Sequence, residues 1–330
     1  MSALKVLVVG GAGYIGSHTA KALAHAGHQP IVLDDLRAGH RWAVRWGPLV
    51  EADIADADTV RGALEDHAID AVVHFAAHAS VGESMQVPRK YFANNLANTL
   101  TLLGAMLDIG VKDIVFSSSC AVYGHPRRLP IGEGHPLAPV SPYGESKLAV
   151  ERVLHWYQHS YGLRYAALRY FNAAGADPEG EVGEVHDPET HVIPLALDVA
   201  LGRRPWLDVF GSDYPTPDGT AVRDYVHVSD LAQAHLLALE AVRSDGAPLR
   251  LNLGAGRGAS VLEIVRAVEE ASGQPVRYEL ASRRPGDPAE LVADARAAQR
   301  RLGWRPERSS IDSVVASAWN WHRLGPERGA

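Results

Sequence analysis

The chain has 330 residues, with 32 lysines and arginines against 39 aspartates and glutamates and a formal net charge of -7. That balance argues against nucleic acid or an anionic membrane as a partner, so an anionic ligand would need arginines placed locally. The single cysteine, Cys120, excludes an intrachain disulfide and any multi-cysteine metal site.

The length exceeds the usual single-domain size and predicts two domains sharing a cleft. The first strand begins within a few residues of Met1, leaving no room for a signal peptide, and no apolar run approaches the length of a membrane span; a cytoplasmic protein is the expectation.

Residues 5–10 form a short apolar run of buried-strand type, followed by Gly11-Ala12-Gly13-Tyr14-Ile15-Gly16 and an amphipathic segment ending near Gly27. Gly10, Gly13 and Gly16 allow a tight turn, close approach of backbone to a pyrophosphate, and close packing of helix on strand. The helix N-terminus then aims its N–H groups at that phosphate. No lysine follows Gly16, so the turn is read as a dinucleotide site rather than a P-loop. The second strand, residues 30–33, runs into Asp34 and Asp35. An acid here accepts hydrogen bonds from the adenosine ribose and repels a 2'-phosphate, which favours NAD over NADP, with Arg37 weighing the other way. Residues 48–54 read as a third strand, with Asp53 at the place for adenine.

Residues 70–77 predict a fourth strand entering the small-residue loop at Ala76 and Ala77, residues 113–117 a fifth entering Ser118 and Ser119, and residues 164–170 a sixth. Long helices are expected over 87–109 and 141–160. Ser141 serves as N-cap and Pro142 as first helical residue of the latter, which puts Tyr143 and Lys147 four apart on one face. An ammonium beside a phenol stabilises the phenolate and draws its pKa down toward neutrality, making a proton acceptor. The fold class predicted is α/β, a Rossmann-type doubly wound parallel sheet with a smaller mixed α/β C-terminal substrate domain. In such sheets ligands bind beyond the carboxyl ends of the strands, where Gly10, Asp34, Ala76, Ser119 and Asn172 all fall. Proline, glycine and acidic residues dominate 176–189, so the expected division is 1–175, with 222–250 returning to it, and 176–330. Residues 249–254 are expected to add another strand.

Several stretches together resemble the extended short-chain dehydrogenase/reductase superfamily and, within it, the UDP-glucose 4-epimerases: GGAGYIGSHT from Gly10, VGES from Val81, FSSSCAVYG from Phe116, SPYGESK from Ser141, RYFNAAGA from Arg169, the long FGSDYPTPDGTAVRDYVHVSDLA from Phe210, NLGAG from Asn252 and RRPGD from Arg283. The resemblance implies Ser119, Tyr143 and Lys147 as catalytic residues. It implies NAD contacts at Tyr14, Ile15, Asp34, Asp53, Ile54, Phe75, Asn94 and Phe171. Asn172, Val192, Phe210, Arg223, Arg284 and Asp287 would hold the uridine diphosphate. It also implies a UDP-hexose substrate, a 4-keto intermediate that turns over before re-reduction, and a homodimer built on helices near 95–109 and 146–160. Ala79 departs from the pattern where many relatives carry a lysine near the NAD phosphates. His191 replaces an asparagine near the uridine phosphates, and Leu291 occupies the position that decides whether an N-acetyl group fits.

UDP-pentose and UDP-N-acetylhexosamine 4-epimerases stay open as alternatives. A nucleotide-sugar 4,6-dehydratase would carry Thr-Asp-Glu where this chain has Ser119-Cys120-Ala121, and a non-catalytic NAD-binding sensor would lack Tyr143 and Lys147. For Arg223, a surface ion pair with the adjacent Asp224 is the competing assignment. His155 and His159 lie four apart, but no glutamate follows His155 as a zinc protease requires, and no metal site is expected. No G-x-S-x-G occurs, so Ser119 is not a hydrolase nucleophile elbow. Trp319 and Trp321 are expected to be packing residues.

Overall fold

A computed structural model describes residues 3–284 and 286–325. Pro285 of the RRPGD stretch and the outermost ends of both expected domains therefore lie outside the described residues.

The first half of the chain runs β1 (Lys5–Val9), α1 (Tyr14–His25), β2 (Gln29–Asp34), β3 (Leu49–Glu51), α2 (Ala57–Asp66), β4 (Ala71–His74), α3 (Val81–Gln86), α4 (Pro88–Tyr91), α5 (Asn98–Ile109), β5 (Asp113–Ser119), α6 (Pro142–Tyr161) and β6 (Arg164–Tyr170). The second half runs β7 (Asn172–Ala174), α7 (Val192–Ala200), β8 (Leu207–Phe210), β9 (Val222–His227), α8 (Val228–Asp245), β10 (Leu249–Leu253), β11 (Gly258–Ser260), α9 (Val261–Ser272), β12 (Tyr278–Ala281), β13 (Glu290–Leu291), α10 (Arg296–Leu302) and α11 (Ile311–Leu324).

Seven strands form one sheet in the order β10-β6-β5-β4-β1-β2-β3. Every pairing in it is parallel. Side chains alternate across it with the period of two that a strand imposes. Val6 and Val8 of β1 join a core with α1 and α8, whereas Leu7 and Val9 join a second core with α2, α5 and α6. Both faces are covered, as apolar parallel strands require. Strand order reverses beside β1, whose neighbours are β2 and β4, and this opens a crevice at the carboxyl end of the sheet.

Around β9 a smaller sheet assembles, with β11 antiparallel and β7 and β13 parallel to it, while β12 and β8 pair separately. Helices α7, α9 and α11 close over these strands on a core that includes Ile193, Leu197, Val209, Ile264, Val268 and Val315. The return to the large sheet begins later than expected: β9 belongs to the smaller sheet, and α8 and β10 make the return. Ala295, Ala298 and Trp304 also pack into the α1/α8 core. Two other elements differ from their expected extents. The third strand is only β3, and the helix expected over 87–109 divides at a turn of π-helix, Phe92–Ala97. Asn95 explains that turn. Its buried side chain bonds both backbone groups of His78 and the Ser146 hydroxyl, which ties the wide turn to the β4 loop and to α6.

Ser141 accepts a hydrogen bond from Gly144 N at 3.2 Å and Pro142 opens α6, while Gly162 ends it in the left-handed conformation. Beneath α6 a buried ion pair ties the helix to the sheet. Arg169 of β6 meets Glu151 of α6 through two bonds of 2.9 and 2.5 Å and donates a third to the Tyr123 hydroxyl at 2.9 Å. Glu151 also accepts from Ser118 Oγ at 2.6 Å. Breaking one side of such a pair leaves a buried charge, so Arg169→Leu should lower stability by about 3–5 kcal/mol. This will be seen as a lower urea midpoint, with Arg169→Leu/Glu151→Leu recovering part of the loss. A single variant as stable as the parent would remove the pair from the account.

Candidate functional site

The glycine turn sits at the sheet's carboxyl edge and is packed to backbone contact. Gly10 has φ +77, and a Cβ there would meet Ala76 N at 2.6 Å. At Gly16 a Cβ would meet Gly10 O at 2.2 Å. Gly13 differs: its Cβ would meet only Gly10 O, at 3.4 Å, so its outer side is open. Among the described residues no side chain caps α1 at Gly13, and the N–H groups of Tyr14, Ile15 and Gly16 open the helix there. An open glycine before uncapped helix amides fits a pyrophosphate.

Asp34, the last residue of β2, is buried, and its two oxygens accept from Ala12 N and Leu36 N, both at 2.9 Å. Burial raises its pKa, against those two amides. Asp34 therefore locks the glycine turn to the end of β2. Asp35 and Asp53 both engage Arg37, Asp53 at 2.6 Å, so that cation is held by carboxylates. Ile54 is buried in the α2 core, and Phe75 lies 4.7 Å from the His235 ring. Ala76 and Ala77 follow β4 in the crevice. Asn94 donates to Asn95 Oδ1 at 3.1 Å. Tyr14 donates to Gly175 O at 2.5 Å, joining α1 to the segment after β7.

Ser119 ends β5, and a 3-10 turn, Cys120–Tyr123, follows it; Tyr143 and Lys147 face this turn from the first turns of α6. Lys147 is buried, donates to Ser117 O at 2.8 Å and stands 5.0 Å from the Phe116 ring and 5.9 Å from the Tyr143 ring. Burial lowers its pKa to about 7. Burial also pushes Tyr143 up to about 12, with the Ser119 hydroxyl working the other way. The expected lowering of the phenol is thus not produced by the protein groups alone, because the lysine spends its bond on a carbonyl and burial dominates. Cys120 is likewise pushed up to about 12 by burial.

Four residues expected around the uridine diphosphate form a contiguous patch with Leu291. Leu291 is the register partner of Arg223. Asp287 stands 3.8 Å from Arg223 and 2.9 Å from Arg284, and Arg284 lies 5.0 Å from the Phe210 ring. One carboxylate between two guanidiniums leaves the patch cationic. Arg223 has no ion pair with Asp224, since neighbours on a strand point to opposite faces. Asp224 is instead buried, accepting from Ala255 N, Gly256 N and Ala293 N, and burial raises it to about 6. Leu291 and Cys120 both flank a small core holding Val122, Tyr123, Ile131, Leu148, Phe171 and Ala293, which joins this patch to the Ser119 side. Asn172 enters β7 beside Tyr225, and Val192 opens α7.

His191 behaves differently from its expected place among the phosphate contacts. Its Nδ1 meets Glu184 at 2.6 Å. Burial would raise Glu184, but His191 and His186 outweigh it and hold the carboxyl at about 2. The acidic stretch 176–189, expected as a boundary, is anchored: Asp177, Glu179 and Glu181 all pair with Lys21 of α1 at 2.6–2.8 Å. Sequence reading missed this anchor and Arg169. A cation inside otherwise apolar runs, Lys21 among alanines and Arg169 after Leu168, was the signal for both. Trp321 does pack, 3% exposed, and donates to Glu184 O.

Comparison with known proteins agrees with this geometry. The model of the NAD dependent epimerase/dehydratase family matches residues 6–254. The chain is 50% identical over 323 residues to a UDP-glucose 4-epimerase of Halalkalibacterium halodurans, covering 98% of this chain and 97% of the relative. Its structure is similar to that of UDP-glucose 4-epimerase from Brucella ovis in complex with NAD, with a TM-score of 0.94, 52% identity and coverage of 96% and 98%. It is also similar to the enzyme from Stenotrophomonas maltophila with bound NAD and formylated UDP-arabinopyranose, with a TM-score of 0.95, 42% identity and coverage of 99% and 100%. With a matching glycine turn and identity sustained across nearly its whole length, the chain belongs to the NAD dependent epimerase/dehydratase family, among the UDP-glucose 4-epimerases.

Proposed function

We propose that the chain interconverts UDP-galactose and UDP-glucose, with NAD, through a 4-keto sugar. One observation carries this reading: Cys120, next to Ser119, and Leu291, the register partner of Arg223, pack on one small core, which brings the Ser119–Tyr143–Lys147 group near the cationic Arg223–Asp287–Arg284 patch. NAD, when bound, supplies the acceptor that takes hydride from C4 and gives it back, so no net oxidant is consumed.

Gly10, Gly13, Tyr14, Ile15 and Gly16 hold the pyrophosphate, and Asp34 holds the adenosine ribose. Asp35, Asp53, Ile54, Phe75, Ala76, Ala77, Asn94 and Phe171 line the rest of that groove. Arg223 and Arg284 take the diphosphate, for which planar guanidiniums are suited. Phe210, Asn172 and Val192 hold the nucleoside end, and Leu291 borders the sugar. Tyr143 takes the proton of the 4-hydroxyl, Ser119 donates to the oxygen as it becomes a carbonyl, and Lys147 holds the phenolate once positive charge is gathered beside it. Residues 3–171, 228–253 and 295–304 form the dinucleotide lobe of this proposal and the intervening residues the sugar-nucleotide lobe.

A homodimer in the cytoplasm belongs to the same proposal. Exposed Leu100 on α5 and exposed Trp156 and Tyr161 on α6 support it as apolar surface on the expected interface helices. Among the described residues no helix is long and apolar enough to cross a membrane. UDP-pentoses are a second reading, favoured by the UDP-arabinopyranose derivative in the Stenotrophomonas enzyme.

Purified protein given UDP-galactose without added cofactor should yield a UDP-glucose mixture, read from the anomeric protons by NMR with no net NADH. Failure to convert it even with NAD supplied would overturn the hexose reading. Tyr143→Phe should lower kcat by about 100- to 10,000-fold, and near-normal turnover would remove Tyr143 from the chemistry. Arg223→Leu deletes a charged hydrogen-bond donor worth about 1.5–3 kcal/mol, so KM should rise about ten- to a hundred-fold. An unchanged KM would place the diphosphate elsewhere.

Lys147 also predicts a pH effect on stability. Its folded pKa of about 7 lies below the ordinary 10.5, so across that window the unfolded chain binds the extra proton and stability rises with pH. In cofactor-free protein, Lys147→Met should therefore stabilise most near pH 7, and the advantage should shrink toward pH 10. Urea midpoints that keep a constant gap would contradict a lowered lysine.

A further inference from the structure

The loop entering α7 carries two histidines and two glutamates in eight positions: Glu184, His186, Glu189 and His191. One donor atom from each lies within 4.8 Å of all the others. His186 Nδ1 stands 3.3 Å from Glu184 Oε1 and 3.5 Å from Glu189 Oε2, and His191 Nδ1 stands 3.5 Å from Glu189 Oε1. These are longer than N–H···O hydrogen bonds, which lie at about 2.7–3.2 Å. The His186–Glu184 distance matches an edge of a tetrahedron whose ligands lie about 2.0–2.1 Å from zinc, about 3.3–3.4 Å, and either Glu189 contact, one through each of its oxygens, comes close to it. Only the fourth such contact, His191 to Glu184, is closed to a hydrogen bond, at 2.6 Å.

A second observation points the same way. His186 Nδ1 is sealed from solvent and has no hydrogen-bond partner among the described residues. A buried nitrogen aimed into a cluster of donors without a bonded partner is what a missing centre leaves behind. The surroundings hold the cluster in place. Trp321 Nε1 donates to Glu184 O at 3.1 Å, a Cβ at Gly183 would stand 2.5 Å from the Trp321 ring, and Tyr14 lies edge-on to His186 at 6.4 Å. Glu189 Oε1 also accepts from His191 N at 2.8 Å, which orients that carboxylate.

We propose that Glu184, His186, Glu189 and His191 form a tetrahedral divalent-metal site, for which zinc is the fitting ion, clamping this loop between α1 and the start of α7. Four protein ligands leave no position for a water or substrate, so the metal is structural. The proposal departs from the expectation of no metal, which weighed the cysteine count and His155 with His159 but not this loop.

The test uses full-length protein purified without chelators. Elemental analysis should find about one zinc per chain, and protein stripped and reloaded with cobalt(II) should show the intense visible bands of a tetrahedral site. His186→Ala and Glu189→Gln should each lose the bands and lower zinc content at least ten-fold while keeping the parent's NAD content, which reports an intact dinucleotide lobe. Zinc far below one equivalent after reloading, equal zinc in parent and variants, or the weak spectrum of six-coordinate cobalt would each overturn the site and leave a closed ion-pair cluster. Should a variant fail to fold, the parent's cobalt spectrum decides alone.

Discussion

A charge pair sealed between sheet and helix is the constraint on which the crevice depends. Arg169 and Glu151 are each almost fully buried, and taking two charges out of water costs several kcal/mol per ion. The cost is offset only by geometry, and here every strong group finds a partner: Glu151 on Arg169 and Ser118, Arg169 on Glu151 and Tyr123, Tyr123 on Asn252 at 2.6 Å, and Asn252 on Ile131 O at 2.8 Å. An apolar pair could give similar stability without direction. The polar one fixes the rotation of α6 over β5, so that Tyr143 and Lys147 face the strand end carrying Ser119. It also reaches β10 and the segment at Ile131, which bonds Val292 and Asp294 next to Leu291.

Electrostatics divide along the same wall. The crevice side gathers its cations around a single carboxylate, at Arg223, Arg284 and Asp287, and so keeps charge in hand for an anion. On the far side of α1, Lys21 is met by several carboxylates, and burial does not prevent its pKa from rising because their hydrogen bonds outweigh it. A net charge of -7 is thus compatible with an anionic ligand, since the sign that matters is local.

How much of this was legible in the sequence follows from the range of each interaction. Ser141, Pro142 and Gly162 mark α6 through local backbone chemistry, and β1 shows its burial on both faces in an unbroken apolar run. The glycine turn carries its purpose in its spacing. Asp224 did not: beside Arg223 it reads as half of an ion pair, and only the NLGAG loop folding back, more than 25 residues later in the chain by the Ala255 contact, turns it into an anchor for backbone amides. Tyr143 and Lys147 were found by their spacing of four, yet the phenol's pKa depends on burial by the whole lobe. The π-helical turn at Asn95 was hidden for the same reason, because His78 and Ser146 meet it from distant parts of the chain.

The chain passes back and forth between the two sheets, from β6 to β7, from β9 to α8, from β10 to β11, from β13 to α10 and from α10 to α11. Lobes joined by one linker can swing apart on a single hinge; here any such swing has to bend every one of these connections together. In the proposed reaction, a sugar that must show first one face and then the other to the same wall would then do the turning itself, pivoting on its diphosphate.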